Sequence, residues 1–362
     1  MTRILLALAI AISSTLFTSC GRQQADTPSR KFTIDVLNGY SPVKNQGRGG
    51  VCWIYAMLAT VETEHIMRGD SVNLSPDYIV RQMLCEKYRR RVLTAGAEPI
   101  VERGTAPELL RLVAAYGAMP FDSYSRSRKS ENPMVDVGIL ARKTQSIADR
   151  AVASGVAPSR LMPLLDTMLD ESLGPLPPHV YMLGAEYTPE EFGRSVCREE
   201  EYLVLTSFTH HPFGEDIDLE LPDNHRHNLF HNVPIDTLVA AVDRAVAGGH
   251  GVCWEGDISE PGFSFSRGAA ELDGKADVSQ RQRQQQFETR RTTDDHCMSI
   301  VGIAHDSSNR RYYIMKNSWG TSNPYHGLVY MSEAYLRLKT IAVVVAKEDE
   351  KEEMLAGQEK TK

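Results

Sequence analysis

The stretch NQGRGGVCWIYAMLATVETEHI, residues 45–66, places a cysteine between a glycine-rich turn and a strongly helical run. The run spaces its apolar residues as one face of a helix does: Ile54, Met57, Leu58 and Val61. Cys52 is therefore predicted to lie at a helix N-terminus, where unpaired N–H groups and the helix dipole favour a thiolate. A single cysteine is more often a buried packing residue than a nucleophile, so a catalytic role needs a base elsewhere in the chain.

Residues 1–20 have the pattern of an export signal. Arg3 supplies a short positive region, an apolar run follows over 4–12, and the segment closes on Cys20. The small residues before Cys20 resemble a bacterial lipobox, which predicts removal of the signal and acylation of that cysteine. We expect an exported lipoprotein, held at the periplasmic face or the cell surface by its lipid anchor. An ordinary secretory signal is the alternative.

The rest of the chain has the composition of a globular protein. Hydrophobic residues make up 42% of the sequence, and after the export signal no apolar run approaches the roughly 20 residues of a membrane-spanning helix. The net charge of −7 and the lack of a long basic stripe argue against a nucleic-acid partner. We interpret residues 21–39 as a linker and the highly charged residues 347–362 as a solvated tail.

The remaining cysteines and a group of histidines predict no metal site. No two cysteines have C-x-x-C spacing, and the odd number left after Cys20 means that at least one thiol stays unpaired. Cys253 and Cys297 lie in strand-like runs and are predicted to be buried structural thiols. The histidines of one polar stretch have no recognisable ligand spacing, so we assign them no metal: His210, His211, His225, His227 and His231.

His296 is the candidate base. It precedes a strand-like run, MSIVGIA, which is followed by the turn residues DSSN and a second strand-like run, YYIM. In an antiparallel hairpin the start of the first strand lies beside the end of the second, so His296 and Asn317 are predicted to be neighbours. Asn317 can then accept a hydrogen bond from one ring nitrogen while the other faces a thiol, and Trp319 can cover that bond from water.

Taken together, these segments resemble the papain family of cysteine peptidases. QGRGGVCW is similar to the family's nucleophile segment, DDHCM to its histidine segment and KNSWG to its asparagine segment, in the family's order. The resemblance implies that Cys52 is the nucleophile, His296 the general base and acid, and Asn317 the residue that orients the imidazole. It also implies that Gln46 and the backbone N–H of Cys52 form an oxyanion hole.

Within that superfamily the chain resembles the bleomycin hydrolase and aminopeptidase C branch. His296 follows Cys52 by 244 positions, against about 130 to 150 in papain and the cathepsins. A large helical insertion at about 123–249, with a histidine-bearing loop inside it, accounts for the difference. The branch implies an α+β, papain-like fold over 40–346, in which a helical lobe and a β-barrel-like lobe enclose the cleft.

Two features depart from that branch. Gly104 and Thr105 stand where its members carry two glycines whose backbone pairs with extended substrate, so the Thr105 side chain is expected to narrow the cleft. We assign both residues to substrate binding, together with Trp319. The branch also implies self-assembly, often as a hexamer, and a C-terminal tail that lies in the cleft, whereas the tail of this chain is polar and highly charged.

The sequence therefore predicts a cysteine peptidase that needs no cofactor and acts on peptides, with trimming from the amino terminus favoured. Either the tail or the insertion has to block the cleft and meet the ammonium group of the substrate. An endopeptidase with a cleft open at both ends is the alternative that keeps the chemistry. A surface lipoprotein that binds peptides without cleaving them is the alternative from another functional class.

Overall fold

The computed structural model describes residues 30–125, 136–182, 184–272 and 277–347. Within these residues the helices are α1 (Cys52–Met67), α2 (Pro76–Leu93), α3 (Ala106–Tyr116), α4 (Val137–Ala153), α5 (Pro158–Leu173), α6 (Pro189–Val196), α7 (Ile235–Ala247), α8 (Gln280–Glu288) and α9 (Glu333–Lys339). The strands are β1 (Phe32–Leu37), β2 (Val180–Met182), β3 (Ala185–Tyr187), β4 (Tyr202–Thr206), β5 (Asp216–Asp218), β6 (Leu229–Asn232), β7 (Val252–Gly256), β8 (Phe263–Ser264), β9 (Ala269–Ala270), β10 (His296–Asp306), β11 (Arg311–Lys316), β12 (Leu328–Ser332) and β13 (Thr340–Ala346).

One mixed sheet contains all of these strands except β2 and β3, which form a separate hairpin. Its order is β5–β6–β4–β13–β7–β10–β11–β12–β9–β8. The long strand β10 lies near the middle of the sheet. On the edge opposite β11, it pairs with β7 over its first half and with β1 over its second half.

β10 and β11 form the antiparallel hairpin that the sequence predicts. Ser299 pairs with Lys316, and His305 pairs with Arg311. This register brings the first residue of β10 beside the residue that follows β11. His296 and Asn317 are therefore neighbours because of strand pairing, although 20 residues of the hairpin separate them in sequence.

The nucleophile helix α1 is buried on every side, from Cys52 to Glu64. It packs against β10 and β7 on one side and against α2 and α3 on the other, so the single apolar face predicted from the sequence is only part of what is buried. The buried carboxylate of Glu62 has a partner: it accepts from Lys44 Nζ at 2.6 Å. Burial acts to raise the pKa of Glu62, but the charges of Lys44 and Lys316 hold that pKa below its ordinary value.

Two halves pack together across α1. The helical half has an apolar core drawn from α1 to α5, with Trp53, Leu84, Leu109, Leu140 and Leu169 among its buried side chains. The sheet half has its own core between the large sheet and α7 and α9, with Trp254, Met298, Tyr313 and Tyr335 among its buried side chains. This α+β arrangement places Cys52 on the helical half and His296 and Asn317 on the sheet half, as predicted.

The prediction of a linker at 21–39 was wrong for its second half. Residues 32–37 form β1, which pairs with β10, and the ring of Phe32 stacks on that of Tyr330 with centroids 3.9 Å apart. The segment FTIDVL alternates apolar and polar residues at its start. This alternation is typical of a strand, and the prediction of a linker did not take it into account. The sheet half therefore begins before residue 40.

The predicted helical insertion at about 123–249 is helical only in part. Helices such as α4 and α7 lie within it, but β4 pairs with β13 and β6 pairs with β4, so both strands belong to the large sheet. The sequence of β4, YLVLT, is a short apolar run, which periodicity alone cannot distinguish from a buried helical segment. Much of the segment after residue 201 is thus part of the sheet half.

The predicted export signal with Cys20, and all of the predicted tail except Lys347, lie outside the described residues. Among the helices that the structure does describe, none has the length and apolar character needed to cross a membrane.

Candidate active site

Cys52 is the first residue of α1, and only the N-cap residue Val51 separates it from the glycine-rich turn. Gly47 and Gly49 have φ angles of 71° and 126°, a region that residues with side chains rarely adopt. A Cβ atom on Gly50 would lie 2.5 Å from Cγ of Arg103. The turn needs glycine for these reasons. It leads into the N-terminus of α1, so Cys52 lies where the first N–H groups have no acceptor within the helix.

His296 and Asn317 form the hydrogen bond that the hairpin register predicts. Nε2 of His296 lies 2.8 Å from Oδ1 of Asn317, and both residues are buried. The same oxygen accepts from the backbone N–H of Ser318 at 2.7 Å, which fixes the orientation of the carboxamide. Because Oδ1 can only accept, Nε2 carries the hydrogen, and in the neutral ring Nδ1 is the nitrogen left free to take a proton.

Trp319 lies over the imidazole. The ring centroids of Trp319 and His296 are 4.6 Å apart. Phe263 and Phe265 pack edge-on against the indole, with centroids 6.0 Å and 5.4 Å away. The indole therefore shields the His296–Asn317 hydrogen bond on one side, and two phenylalanines that sequence reasoning did not identify hold it in place.

The thiol of Cys52 contacts the side chains of Cys297 and His296. The hydrogen bond from the Cys297 thiol is the largest cause that lowers the pKa of Cys52 well below its ordinary value. The hydrogen bond and the charge of His296 act in the same direction, and burial of the sulfur opposes them. The site therefore favours a thiolate at Cys52, paired with an imidazole.

Cys297 was predicted to be a buried structural thiol, and it is buried, but it also belongs to the site. Burial, followed by the hydrogen bond to Cys52, raises the pKa of Cys297 well above its ordinary value, so this thiol keeps its hydrogen and donates it. Cys297 directly follows the candidate base His296 in the sequence, and this position could have indicated that it belongs to the site. Within the described residues all cysteines are free thiols: Cys52, Cys85, Cys197, Cys253 and Cys297.

Gln46 lies next to the turn and is held by Ser318. Oγ of Ser318 donates to Oε1 of Gln46 at 2.6 Å, and the backbone N–H of Gln46 donates to the Ser318 carbonyl at 2.8 Å. The Gln46 amide nitrogen donates one hydrogen to the Gly49 carbonyl at 3.0 Å, which leaves its second hydrogen for another acceptor. Ser318 thus links the candidate oxyanion donor to Asn317, a role that sequence reasoning missed although Ser318 lies within KNSWG.

Gly104 and Thr105 lie beside the nucleophile helix. Nε1 of Trp53 donates to the carbonyl of Glu102 at 3.1 Å, and a Cβ atom on Gly104 would lie 3.0 Å from the Trp53 ring. Thr105 is fully buried, and its Oγ1 accepts from Nδ2 of Asn228 at 3.3 Å. The Thr105 side chain therefore packs toward the segment that contains Asn228.

The histidines of the polar stretch are near carboxylates. Nε2 atoms of His210 and His211 lie 3.1 Å and 3.0 Å from the carboxylate of Glu220, and these three residues form a group that could hold a metal ion. His227 contacts Asp218 at 2.6 Å, and His231 contacts Asp216 at 2.8 Å. His210 and His211 therefore share Glu220, whereas His227 and His231 make separate pairs with acids of β5.

The fold and this arrangement of cysteine, histidine and asparagine define a papain-like cysteine peptidase. A model of the Peptidase C1-like family matches residues 180–362, and the chain belongs to that family. The chain is also similar to relatives that are named as aminopeptidases, and its fold is papain-like.

Two curated relatives come from Lactobacillus delbrueckii subsp. lactis. Aminopeptidase W is 23% identical, over 90% of this chain and 85% of its own length. Aminopeptidase G is 22% identical, over 94% of this chain and 89% of its own length. Among solved structures, PepW from Lactobacillus rhamnosis HN001 superposes with a TM-score of 0.64 at 18% identity, covering 87% of this chain and 82% of that one. The likeness to PepW confirms the papain-like fold.

Proposed function

We propose that the chain is a cysteine aminopeptidase that cleaves peptide bonds through a thiol acyl-enzyme. The observation that carries the proposal is the position of His296, which contacts the Cys52 thiol on one side and Asn317 on the other. In the proposed mechanism Cys52 is the nucleophile, His296 is the general base and acid, and Asn317 orients the imidazole. No cofactor is needed for this chemistry.

In the first half-reaction, a bond forms between Sγ of Cys52 and the carbonyl carbon of the substrate. The carbonyl oxygen becomes negative, and the backbone N–H of Cys52 and the side-chain amide of Gln46 are proposed to stabilise it. His296 holds the proton from the thiol and gives it to the leaving amine as the C–N bond breaks. Water then attacks the thioester with His296 as base, which releases the acid and restores the thiol.

The proposed substrates are peptides with a free amino terminus. Both curated relatives, which align along most of their length, are named as aminopeptidases. We propose that Gly104 and Trp319 line the substrate cleft, because Gly104 lies against the ring of Trp53, the residue after Cys52, and Trp319 lies over His296. The Thr105 side chain is fully buried, so it does not narrow the cleft as the sequence led us to expect. An endopeptidase remains the alternative with the same chemistry, and a peptide-binding protein without activity is the alternative from another class.

One set of kinetic measurements separates these functions. An aminoacyl anilide with a free amine and its N-acetylated form are offered to the unaltered chain and to Cys52→Ala. The proposal expects hydrolysis of the free-amine substrate, little of the acetylated one, and none of either by Cys52→Ala. Preference for acetylated substrates would favour the endopeptidase, and binding without turnover would favour the peptide-binding protein.

We also propose a lipid anchor at Cys20, on the basis of the lipobox-like residues before it. The full chain and a Cys20→Ser variant are produced in bacteria that are fed an alkyne-tagged fatty acid. The proposal expects label on the unaltered chain, found with the membranes, and no label on the variant. A chain that stays unlabelled would overturn this proposal without affecting the proposed chemistry.

Self-assembly is proposed from the resemblance to the bleomycin hydrolase and aminopeptidase C branch, with a hexamer as the state that the resemblance implies. Light scattering on the purified chain after chromatography measures its mass directly. A mass several times that of one chain is expected. A mass equal to one chain at micromolar concentration would contradict this proposal.

A further inference from the structure

Near Cys52 lie two carboxyl groups, each with one buried oxygen that accepts no hydrogen bond from the described residues. Glu255 on β7 is 1% exposed and lies directly opposite Cys297 in the antiparallel pair of β7 and β10. Side chains of directly opposed residues point to the same face of a sheet, with Cβ atoms about 4.5 to 5.5 Å apart. The Glu255 carboxyl therefore lies on the face that carries the Cys297 thiol, which contacts the thiol of Cys52.

Asp294 is the second member of what we call the carboxylate pair, Glu255 and Asp294. Oε2 of Glu255 accepts from the backbone N–H of Ala106 at 3.1 Å, and the rest of its carboxyl contacts that of Asp294. No donor in the described part of the chain reaches Oε1 of Glu255 or Oδ2 of Asp294, and both atoms are buried. Two buried oxygens that only accept hydrogen bonds need a shared proton or a cation between them.

Without substrate, the carboxylate pair itself holds the shared proton, because both carboxyl groups have raised pKa values. Burial, followed by the charge of Asp294, raises the pKa of Glu255 well above its ordinary value. Burial, followed by the charge of Asp223, raises the pKa of Asp294 to about 7. An ammonium group, with three N–H donors and a positive charge, satisfies the same oxygens when it replaces that proton.

A segment between β5 and β6 lies near this pair and contacts the helical half. We call residues 219–228 the closing segment. Its Asp223 accepts from Nε of Arg103 at 2.6 Å, its Asn228 donates to Thr105, and its Arg226 forms ion pairs with Glu86 and Glu108. The closing segment comes from the sheet half, and all of these partners lie on the helical half, so it spans the boundary between the halves.

Arg103, the partner of Asp223 in the closing segment, also contacts the chain next to Cys52 and next to His296. Its Cγ lies against Gly50, two residues before Cys52, and its Nη2 donates to the carbonyl of Asp294 at 2.6 Å, two residues before His296. A peptide that extends past the carboxylate pair would have to displace Arg103 and the closing segment.

We propose that the carboxylate pair Glu255 and Asp294 binds the ammonium group of the substrate's amino-terminal residue, and that Arg103 and the closing segment end the cleft behind it. This inference rests on the proposed aminopeptidase function and gives it a structural cause. The C-terminal tail is not required for it. The same pair could take the ammonium group of a lysine side chain, so the test includes that source.

The test measures kcat and KM for leucyl, N-acetyl-leucyl and N-acetyl-lysyl anilides. The variants are Asp294→Asn, Glu255→Gln and the matched control Glu171→Gln, which removes an exposed carboxylate on α5. For the leucyl substrate we expect KM to rise by about 10- to 100-fold in the first two variants, the range for losing a hydrogen bond to a charged group, with kcat little changed. The control and the acetylated leucyl substrate should show no such change.

Each other outcome has a defined meaning. An unchanged KM in both pair variants would overturn the inference and leave the aminopeptidase function intact. An equal rise in KM for the leucyl and acetyl-leucyl substrates would do the same. Efficient use of acetyl-lysyl substrate, lost in the variants, would assign the pair to a side-chain ammonium group and overturn binding of the α-amine. If the unaltered chain prefers acetylated substrates, the proposed function itself fails.

A second measurement uses the unaltered chain, so it does not depend on the folding of a variant. Iodoacetamide alkylates Cys52 while leucinamide or N-acetyl-leucinamide is present in increasing amounts. The inference expects leucinamide to protect the thiol at a concentration about 10- to 100-fold lower than its acetylated form. Equal protection by the two amides would contradict it.

Discussion

At the scale of single residues, the low pKa of the Cys52 thiol depends on two neighbours that follow each other in the chain, Cys297 and His296. In the proposed mechanism the imidazole takes and returns the proton, whereas Cys297 keeps its own hydrogen and stabilises the thiolate by donating it. Both neighbours therefore lower the pKa of Cys52, but only His296 is proposed to transfer the proton.

Replacing Cys297 by alanine should therefore raise the pKa of Cys52. We expect the rate of alkylation by iodoacetamide to fall at low pH and its midpoint to move to higher pH, because thiolate is the reactive form. The rate is measured from pH 4 to 9, with Cys85→Ala as the control, since Cys85 is buried away from the site in α2. An unchanged midpoint in Cys297→Ala would show that His296 alone sets the pKa.

Gln46 is expected to act on the transition state. Gln46→Ala should lower kcat by about 10²- to 10³-fold with little change in KM, as for loss of one oxyanion donor. Ser318→Ala should lower kcat less, because it removes only the hydrogen bond that orients Gln46. Steady-state kinetics on a free-amine anilide checks both. A rise in KM at constant kcat would instead make Gln46 a residue that binds the ground state.

The carboxylate pair predicts how KM varies with pH. As pH falls through about 7, Asp294 takes up a proton while the substrate amine stays charged, so KM should rise. As pH rises above about 8, the substrate amine loses its charge, and KM should rise again. Other groups that face Asp294 set its pKa together with burial: Asp223, Arg103, Cys52 and Glu255. In Asp294→Asn the acidic limb should disappear, and its persistence would assign that limb to another group.

At the scale of elements, the hairpin β10–β11 and the start of α1 were predictable, because each is marked by local patterns. Strand runs around DSSN predict which residues oppose each other, and three glycines before a helical run predict where Cys52 lies. The opposition of Glu255 and Cys297, and the contacts of the closing segment with Arg103, join distant parts of the chain. No local periodicity specifies such pairings, so sequence reasoning did not find them.

The closing segment supports an element-scale prediction. Arg103→Gln removes the ion pair with Asp223 and weakens the link between the two halves beside Cys52. We expect hydrolysis of N-acetylated dipeptidyl anilides to increase relative to aminoacyl anilides, because a longer chain can then pass the carboxylate pair. The control is Arg90→Gln, which removes a solvent-exposed ion pair with Glu98 at the end of α2. An unchanged ratio in Arg103→Gln would place the end of the cleft elsewhere.

At the scale of the whole molecule, the sequence left two candidates for the block in the cleft, the insertion and the tail. The inference drawn from the structure assigns it to the insertion, through the closing segment. Deleting residues 348–362 should therefore leave the ratio of free-amine to acetylated hydrolysis unchanged. The ratio is measured for the full and truncated chains at equal concentration. A shift toward acetylated substrates in the truncated chain would show that the tail contributes to the block.

The overall architecture could be predicted because the catalytic motifs occur in the order and spacing of a known branch. The division of the insertion between the helical half and the sheet, and the strand at 32–37, could not be predicted from those motifs. Both depend on which edges of the central sheet are free to pair: β4 takes the edge of β13, and β1 takes the second half of β10. Short strands of this kind are defined by their partners as much as by their own residues.

The central claim is that Cys52 drives removal of residues from the amino terminus, and one digest tests it most directly. A defined peptide and its N-acetylated form are incubated with the unaltered chain and with Cys52→Ala, and the products are followed by mass spectrometry over time. The account predicts a ladder of successive amino-terminal losses from the free peptide with the unaltered chain, no ladder from the acetylated peptide, and intact peptides with Cys52→Ala. Internal cuts in both peptides, or a ladder made by Cys52→Ala, would contradict it.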